Sequence, residues 1–143
     1  MRSFSKCSTF TTKAHRDKEY YVSSDSSKAI TSWIPIGPAD KNHGQLIYLE
    51  NSHQFSFADK SNKDKKERII SSSLNELANE KCSRWLIPKI NMGDILFHCL
   101  FSVHASFESK VTIPRLSCDL RFAGSKEYED PRWHSYWYGE DGL

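Results

Sequence analysis

The sequence predicts a mainly β domain, an antiparallel sandwich or barrel. Three observations lead there. Short segments rich in β-branched and aromatic residues recur between turn residues. Aromatic side chains, which suit a pleated and half-buried surface, make up 13% of the chain. No helix-strand alternation of the kind that builds a parallel α/β sheet is visible, and no internal repeat.

The elements follow in chain order. Residues 8–22 alternate Thr, Phe and Tyr with polar residues, which fits one or two short strands. Ser23 to Lys28 reads as a polar loop, and Ala29 to Ile36 as a strand stopped by Gly37-Pro38. Asp40 to Gly44 is a turn, Leu46 to Leu49 a short strand, and Glu50-Asn51-Ser52-His53 ends it. Residues 54–81 form a polar insertion with one short helix, for which Ser73 is the expected N-cap. Its lysine run reads as a solvated surface. Trp85-Leu86-Ile87-Pro88 is followed by the turn Asn91-Met92-Gly93-Asp94. Ile95 to His104 is the most apolar run and is expected to be one buried, bent strand. Val111 to Phe122 alternates, with Arg115, Ser117, Asp119 and Arg121 on one face and Leu116, Cys118, Leu120 and Phe122 on the other. If the polar face lines a barrel interior, the apolar face should pack against the other sheet or against helices. The tail, about 123–143, is aromatic and acidic around Trp133, Tyr136, Trp137 and Tyr138 and reads as a loop.

Composition narrows the function classes. A chain of 143 residues suits one domain, 1–143, with a single core. Its net charge of +2, with no basic patch interleaved with aromatics, argues against a nucleic-acid partner. No apolar run approaches the ~18 residues that a membrane span requires. The four cysteines, 7, 82, 99 and 118, show neither C-x-x-C pairing nor zinc-ribbon spacing, which suggests a reducing compartment, the cytoplasm.

The chemistry centres on Ala14-His15-Arg16-Asp17. On a strand, His15 and Asp17 would point to one face and supply two-thirds of the 2-His-1-carboxylate facial triad used by non-haem Fe(II) oxygenases. A second histidine must come from elsewhere, and His43, His53, His98, His104 and His134 are the candidates. His98 and His104 share strand parity, so alternation does not separate them. Arg115, eleven residues after His104, could hold a carboxylate through two parallel N–H···O bonds.

His15-Arg16-Asp17, the Trp33-Ile34-Pro35-Ile36 segment, Asn42-His43-Gly44 running to Asn51-Ser52-His53, Met92-Gly93-Asp94, His104-Ala105-Ser106, Pro114-Arg115 and Arg121-Phe122 occur in this order. Order and spacing together resemble the phytanoyl-CoA dioxygenase family of Fe(II)/2-oxoglutarate-dependent oxygenases, from about residue 10 to about 135. The resemblance implies a double-stranded β-helix core of the jelly-roll or cupin type. It implies Fe(II) held by His15, Asp17 and His104, with 2-oxoglutarate as cosubstrate. Arg115 and Ser106 would hold the distal carboxylate, Trp33 would pack beside the cosubstrate, and Arg16 would face the pocket. The implied partners are O₂ and a small-molecule substrate, which is hydroxylated as 2-oxoglutarate is decarboxylated to succinate. Members carry a long region before the H-x-D strand, whereas fourteen residues precede His15 here. The resemblance therefore also implies an N-terminally truncated core, completed by a missing segment or a partner chain. The alternative is a truncated, inactive relative that serves as a binding or structural protein.

Overall fold

The computed structural model describes residues 11–20, 29–58, 68–113 and 115–123. The run 59–67 within the insertion and the tail from 124 lie outside the described residues, as does the start of the expected strand over 8–22. Among the described residues there are six strands: β1 (Ile30–Pro35), β2 (Leu46–Leu49), β3 (Trp85–Leu86), β4 (Leu96–Cys99), β5 (His104–Ser106) and β6 (Ser117–Phe122). They form two antiparallel three-stranded sheets, ordered β4-β1-β6 and β3-β2-β5. The mainly β expectation holds. Among the described residues, one α-helix, α1 (Leu74–Glu80), is joined by two single-turn 3-10 helices at Asp17–Tyr20 and Ser52–Gln54.

Period-two alternation decides which side chains face inward. On β2 and β5, Leu46, Tyr48, His104 and Ser106 share the inner face, with Leu46 opposite Ser106 and Tyr48 opposite His104. Ile47, Leu49, Val103 and Ala105 face outward and form a core with Ala14 and Leu77 of α1, flanked by Phe55, Phe57, Leu74 and Trp85. Helix α1 thus covers the outer face of this sheet. Ser73 caps it as expected, its side chain accepting the Glu76 amide. Between the sheets, Trp33 and Leu96 meet Leu46 and Tyr48.

The other sheet differs on its outer side. Thr31, Trp33, His98, Asp119 and Arg121 alternate inward, while Ile30, Phe97, Leu120 and Phe122 alternate outward. The inward direction of the polar face of β6 agrees with expectation. Among the described residues no cover for its apolar face is found: Phe97 is 64% exposed, Leu116 62% and Phe122 55%.

Two strand expectations are corrected. The run 95–104 is two strands in different sheets, because a turn with Ser102 N–H bonded to the Cys99 carbonyl reverses the chain. Residues 111–113, 115 and 116 precede β6 without joining it. The sharper turns follow the sequence: Gly44 takes φ +76°, with Phe107 O only 3.3 Å from where a Cβ would sit, so a side chain there would meet backbone. Among the described residues, no helix is long and apolar enough to cross a membrane.

Candidate metal centre

The site begins with one isolated antiparallel bridge. His15 N–H donates to His104 O at 3.1 Å and His104 N–H to His15 O at 3.0 Å. Residues directly opposed in this way project to the same side, so the bridge brings two imidazoles, 89 residues apart in sequence, to ring centroids 4.2 Å apart. The extended segment stops there. Asp17 opens a 3-10 turn instead of continuing a strand, and Lys18 N–H is bonded to Leu100 O at 3.0 Å. The carboxylate still turns to the imidazole side. Its Oδ1 lies 3.9 Å from His15 Nε2 and 3.6 Å from His104 Nε2.

Each histidine is oriented by its other nitrogen. His15 Nδ1 is 2.8 Å from Lys13 O, and His104 Nδ1 is 3.1 Å from Ser102 O. A carbonyl only accepts, so Nδ1 carries the proton in both rings and Nε2 keeps its lone pair toward Asp17. Asp17 uses its two oxygens differently. Oδ2 accepts from Thr31 Oγ1 at 2.6 Å and pairs with His98 Nε2 at 3.2 Å, while Oδ1 faces His15 and His104.

Electrostatics match this geometry. Burial alone would raise the Asp17 carboxyl, but the His98 hydrogen bond, the field of His104 and the Thr31 hydroxyl hold it well below the usual carboxylate range. Burial pushes His104 down to about 3, aided by neighbouring His15 and opposed by Asp17. The result is a buried carboxylate beside the neutral imidazole of His104, a cluster in want of a positive charge. His15, Asp17 and His104 together offer two nitrogens and one oxygen within 4.8 Å of one another. Two imidazoles and a carboxylate meeting from one side fit a divalent transition metal with positions left open.

The same cleft is lined by Thr12, Trp33, Leu46, Arg115, Asp119 and Arg121, and has a volume of about 140 Å³. The Arg115 guanidinium stacks 4.9 Å from the centre of the Trp33 ring. Its Nη1 is buried without a hydrogen-bond partner among the described residues, and burial shifts the group below its usual range.

The structure brings together four of the expected site residues, His15, Asp17, His104 and Arg115, with Trp33 beneath the last. Two others stand elsewhere. Arg16 is corrected: it points away from the cleft, ion-paired with buried Glu19 and stacked on Phe57. The 3-10 turn that opens at Asp17 is the reason, since it brings Glu19 within reach of the Arg16 guanidinium. Ser106 is buried, its Oγ accepting the Thr12 amide at 2.9 Å, and Thr12 is the one of this pair that lines the cleft. His98, which parity could not separate from His104, lies on the far oxygen of Asp17, outside the three-ligand cluster. His43 sits in the 40–44 turn on Asp40, and His53 in an exposed turn. The residue missed from sequence is Tyr48, whose hydroxyl lies 3.1 Å from His98 Nδ1. Its inward parity on β2 was the available signal.

Comparison of sequence finds no matching family model and no matching curated protein. Comparison of structure does find likenesses. The chain is similar to the epimerase SnoN in complex with Fe3+, alpha ketoglutarate and nogalamycin RO, with TM-score 0.63 and 20% identity over 82% of this chain and 43% of that one. It is similar to EctD from S. alaskensis in its apoform, with TM-score 0.59 and 18% identity over 78% and 38%. It is also similar to AviO1 from Streptomyces viridochromogenes Tue57, with TM-score 0.57 and 15% identity over 85% and 47%. These likenesses establish a double-stranded β-helix fold. The chain spans less than half the length of each of these proteins.

Proposed function

We propose that this chain is the core of an Fe(II)/2-oxoglutarate-dependent dioxygenase of the phytanoyl-CoA dioxygenase type, hydroxylating a small organic substrate. The observation that carries the reading is the buried Nη1 of Arg115, which has no hydrogen-bond partner among the described residues and lies in the same cleft as the triad. A buried guanidinium nitrogen without a partner is unfavourable by itself. The distal carboxylate of a dicarboxylic cosubstrate would satisfy it, and a plain metal-binding protein would give it no task.

His15, Asp17 and His104 would hold the metal. Iron and 2-oxoglutarate, when bound, supply the oxidising chemistry, with O₂ consumed and 2-oxoglutarate released as succinate and CO₂. The chain's own part is placement. Asp17 provides the charge that retains a divalent ion. Trp33 fixes the plane of the Arg115 guanidinium, so that its fork meets a carboxylate edge-on. Trp33 and Leu46 furnish apolar wall that keeps water from the cosubstrate side. Ser106 acts indirectly in this reading, holding the Thr12 backbone at the cleft. A reducing compartment such as the cytoplasm would keep the iron ferrous.

A second reading, an inactive relative acting as a binding or structural piece, is favoured by the uncovered apolar face of β4-β1-β6. One experiment separates the two. Fe(II) and 2-oxoglutarate added anaerobically should give a weak visible charge-transfer band. Arg115→Ala should lower 2-oxoglutarate affinity by about tenfold to a hundredfold, the equivalent of a lost charge-assisted hydrogen bond, with iron affinity unchanged. Absence of the band in the unaltered chain, or equal loss of iron and cosubstrate in the variant, would sink the enzymatic reading.

A further inference from the structure

The geometry points to Tyr48 and His98 as positioning residues for the metal-ligating carboxylate, a hydrogen-bonded relay from one sheet to the other that restricts Asp17 to a single ligating oxygen. This inference rests on the reading of His15, Asp17 and His104 as a metal centre. Its observations are separate from those that identify the triad.

The relay crosses the domain. Tyr48 is on the inner face of β2 and His98 on the inner face of β4, in the opposing sheet. Tyr48 Oη lies 3.1 Å from His98 Nδ1, and His98 Nε2 lies 3.2 Å from Asp17 Oδ2. The order of donors follows from the far end. An ionised carboxylate only accepts, so His98 must donate through Nε2–H. A neutral ring then presents Nδ1 as acceptor, and the Tyr48 hydroxyl is the donor that fills it. With Tyr48 in place the Nε2–H tautomer is favoured, and His98 has no lone pair to offer a metal on that side. Thr31 Oγ1 supplies the second bond to Oδ2 at 2.6 Å. Both donors occupy the oxygen away from the two ligand histidines, and Oδ1 is left facing them. The side chains are not free to drift: the His98 side chain is 4% exposed, and its ring lies 4.7 Å from that of His104 and 5.3 Å from that of Tyr48.

Two consequences follow. A carboxylate with Oδ2 doubly bonded cannot swing to grip a metal with both oxygens without breaking those bonds. Removing the Tyr48 hydroxyl frees the His98 tautomer, so its Nε2 lone pair can turn on Asp17 or compete for the ion. Both raise the freedom of the site without altering any of its three ligands.

The test uses Co(II) as the probe, titrated into the full chain and followed by its visible d–d absorption, with thermal unfolding of each metal-free protein measured alongside. Tyr48→Phe and His98→Leu should each weaken Co(II) binding by about tenfold or more, the usual effect of losing a partner of a metal ligand, and should alter the band shape. His98→Gln, whose side-chain amide can still donate to Asp17, should recover most of the affinity lost in His98→Leu. Unchanged affinity and spectrum in Tyr48→Phe and His98→Leu would overturn the relay while leaving the metal centre standing. So would losses in all three variants that merely follow their loss of folded protein. Failure of the unaltered, folded chain to bind Co(II) would overturn the metal centre itself, and the relay with it.

Discussion

Asp17 is the residue on which most of the site's energetics converge. It is buried, ionised and bonded by Thr31 and His98 on one oxygen, with His15 and His104 facing the other. Such an arrangement ties stability to pH. The His104 pKa falls to about 3 in the folded chain, below the ordinary value of 6.5. The unfolded chain therefore takes up a proton first as pH falls, so the stability of the metal-free protein is greatest above 6.5 and declines toward 3. Asp17 acts in the same direction, since its depressed pKa contributes stability above 3.8 that disappears under more acidic conditions. Urea midpoints across this range should drop by the equivalent of a few kcal/mol at most, and His104→Gln should flatten the decline above pH 4. A midpoint independent of pH between 6.5 and 4 would refute the buried, neutral state of His104. Residue identity alone made the H-x-D pair legible. The direction of Arg16 was not legible: family resemblance suggested the pocket, and its pairing with Glu19 in the following 3-10 turn holds it elsewhere.

Elements were legible where the signal is local. Ser73 and the apolar spacing of Leu74, Leu77 and Ala78 define α1 within a few residues of sequence, and the cap forms as expected. The helix earns its place by covering Ile47, Leu49 and Ala105, so its packing should outweigh its cap. Leu77→Ala should destabilise by about 2–4 kcal/mol, as large-to-small core changes do. Ser73→Ala, at an exposed cap with a 3.4 Å bond, should cost about 0.5–1 kcal/mol. Denaturant unfolding of the two variants tests the order, and a larger effect from Ser73→Ala would contradict it. The break in the 95–104 run was not legible. Leu100-Phe101-Ser102-Val103 contains neither Gly nor Pro, and the turn is held by distant partners: Lys18 N–H on Leu100 O, and Ser52 Oγ accepting the Val103 amide at 2.8 Å. Both Leu100 and Val103 are fully buried, so periodicity could not mark the reversal.

At the scale of the molecule, the two sheets are unequally covered. The outer face of β3-β2-β5 is packed under α1, whereas that of β4-β1-β6 presents Ile30, Phe97, Leu120 and Phe122 to solvent. An apolar face of this kind favours association. The chain alone should bind a hydrophobic dye and show a concentration-dependent elution volume. Replacing Phe97 and Leu120 together with lysine should reduce both, while Co(II) binding persists, because these side chains point away from the cleft. Dye binding unaltered by the double substitution would place the exposed surface elsewhere. Alternation in β6 correctly aimed Ser117, Asp119 and Arg121 at the interior, but could not say whether anything covers the opposite face, because burial is a property of neighbours.

The sequence by itself determined the β class, the short strands with their turns, the helix cap and the residue types of a facial triad with a cationic anchor. Each depends on interactions within a few residues or on period-two geometry. Only the tertiary structure decided which histidine joins His15 and Asp17 in a group that could hold a metal. His98 and His104 share parity, and they part because a turn sends them into different sheets: His104 meets His15 across a backbone bridge, and His98 reaches Asp17 from behind with Tyr48. Contacts made across 81 to 89 residues depend on how the chain closes, and no local pattern encodes them.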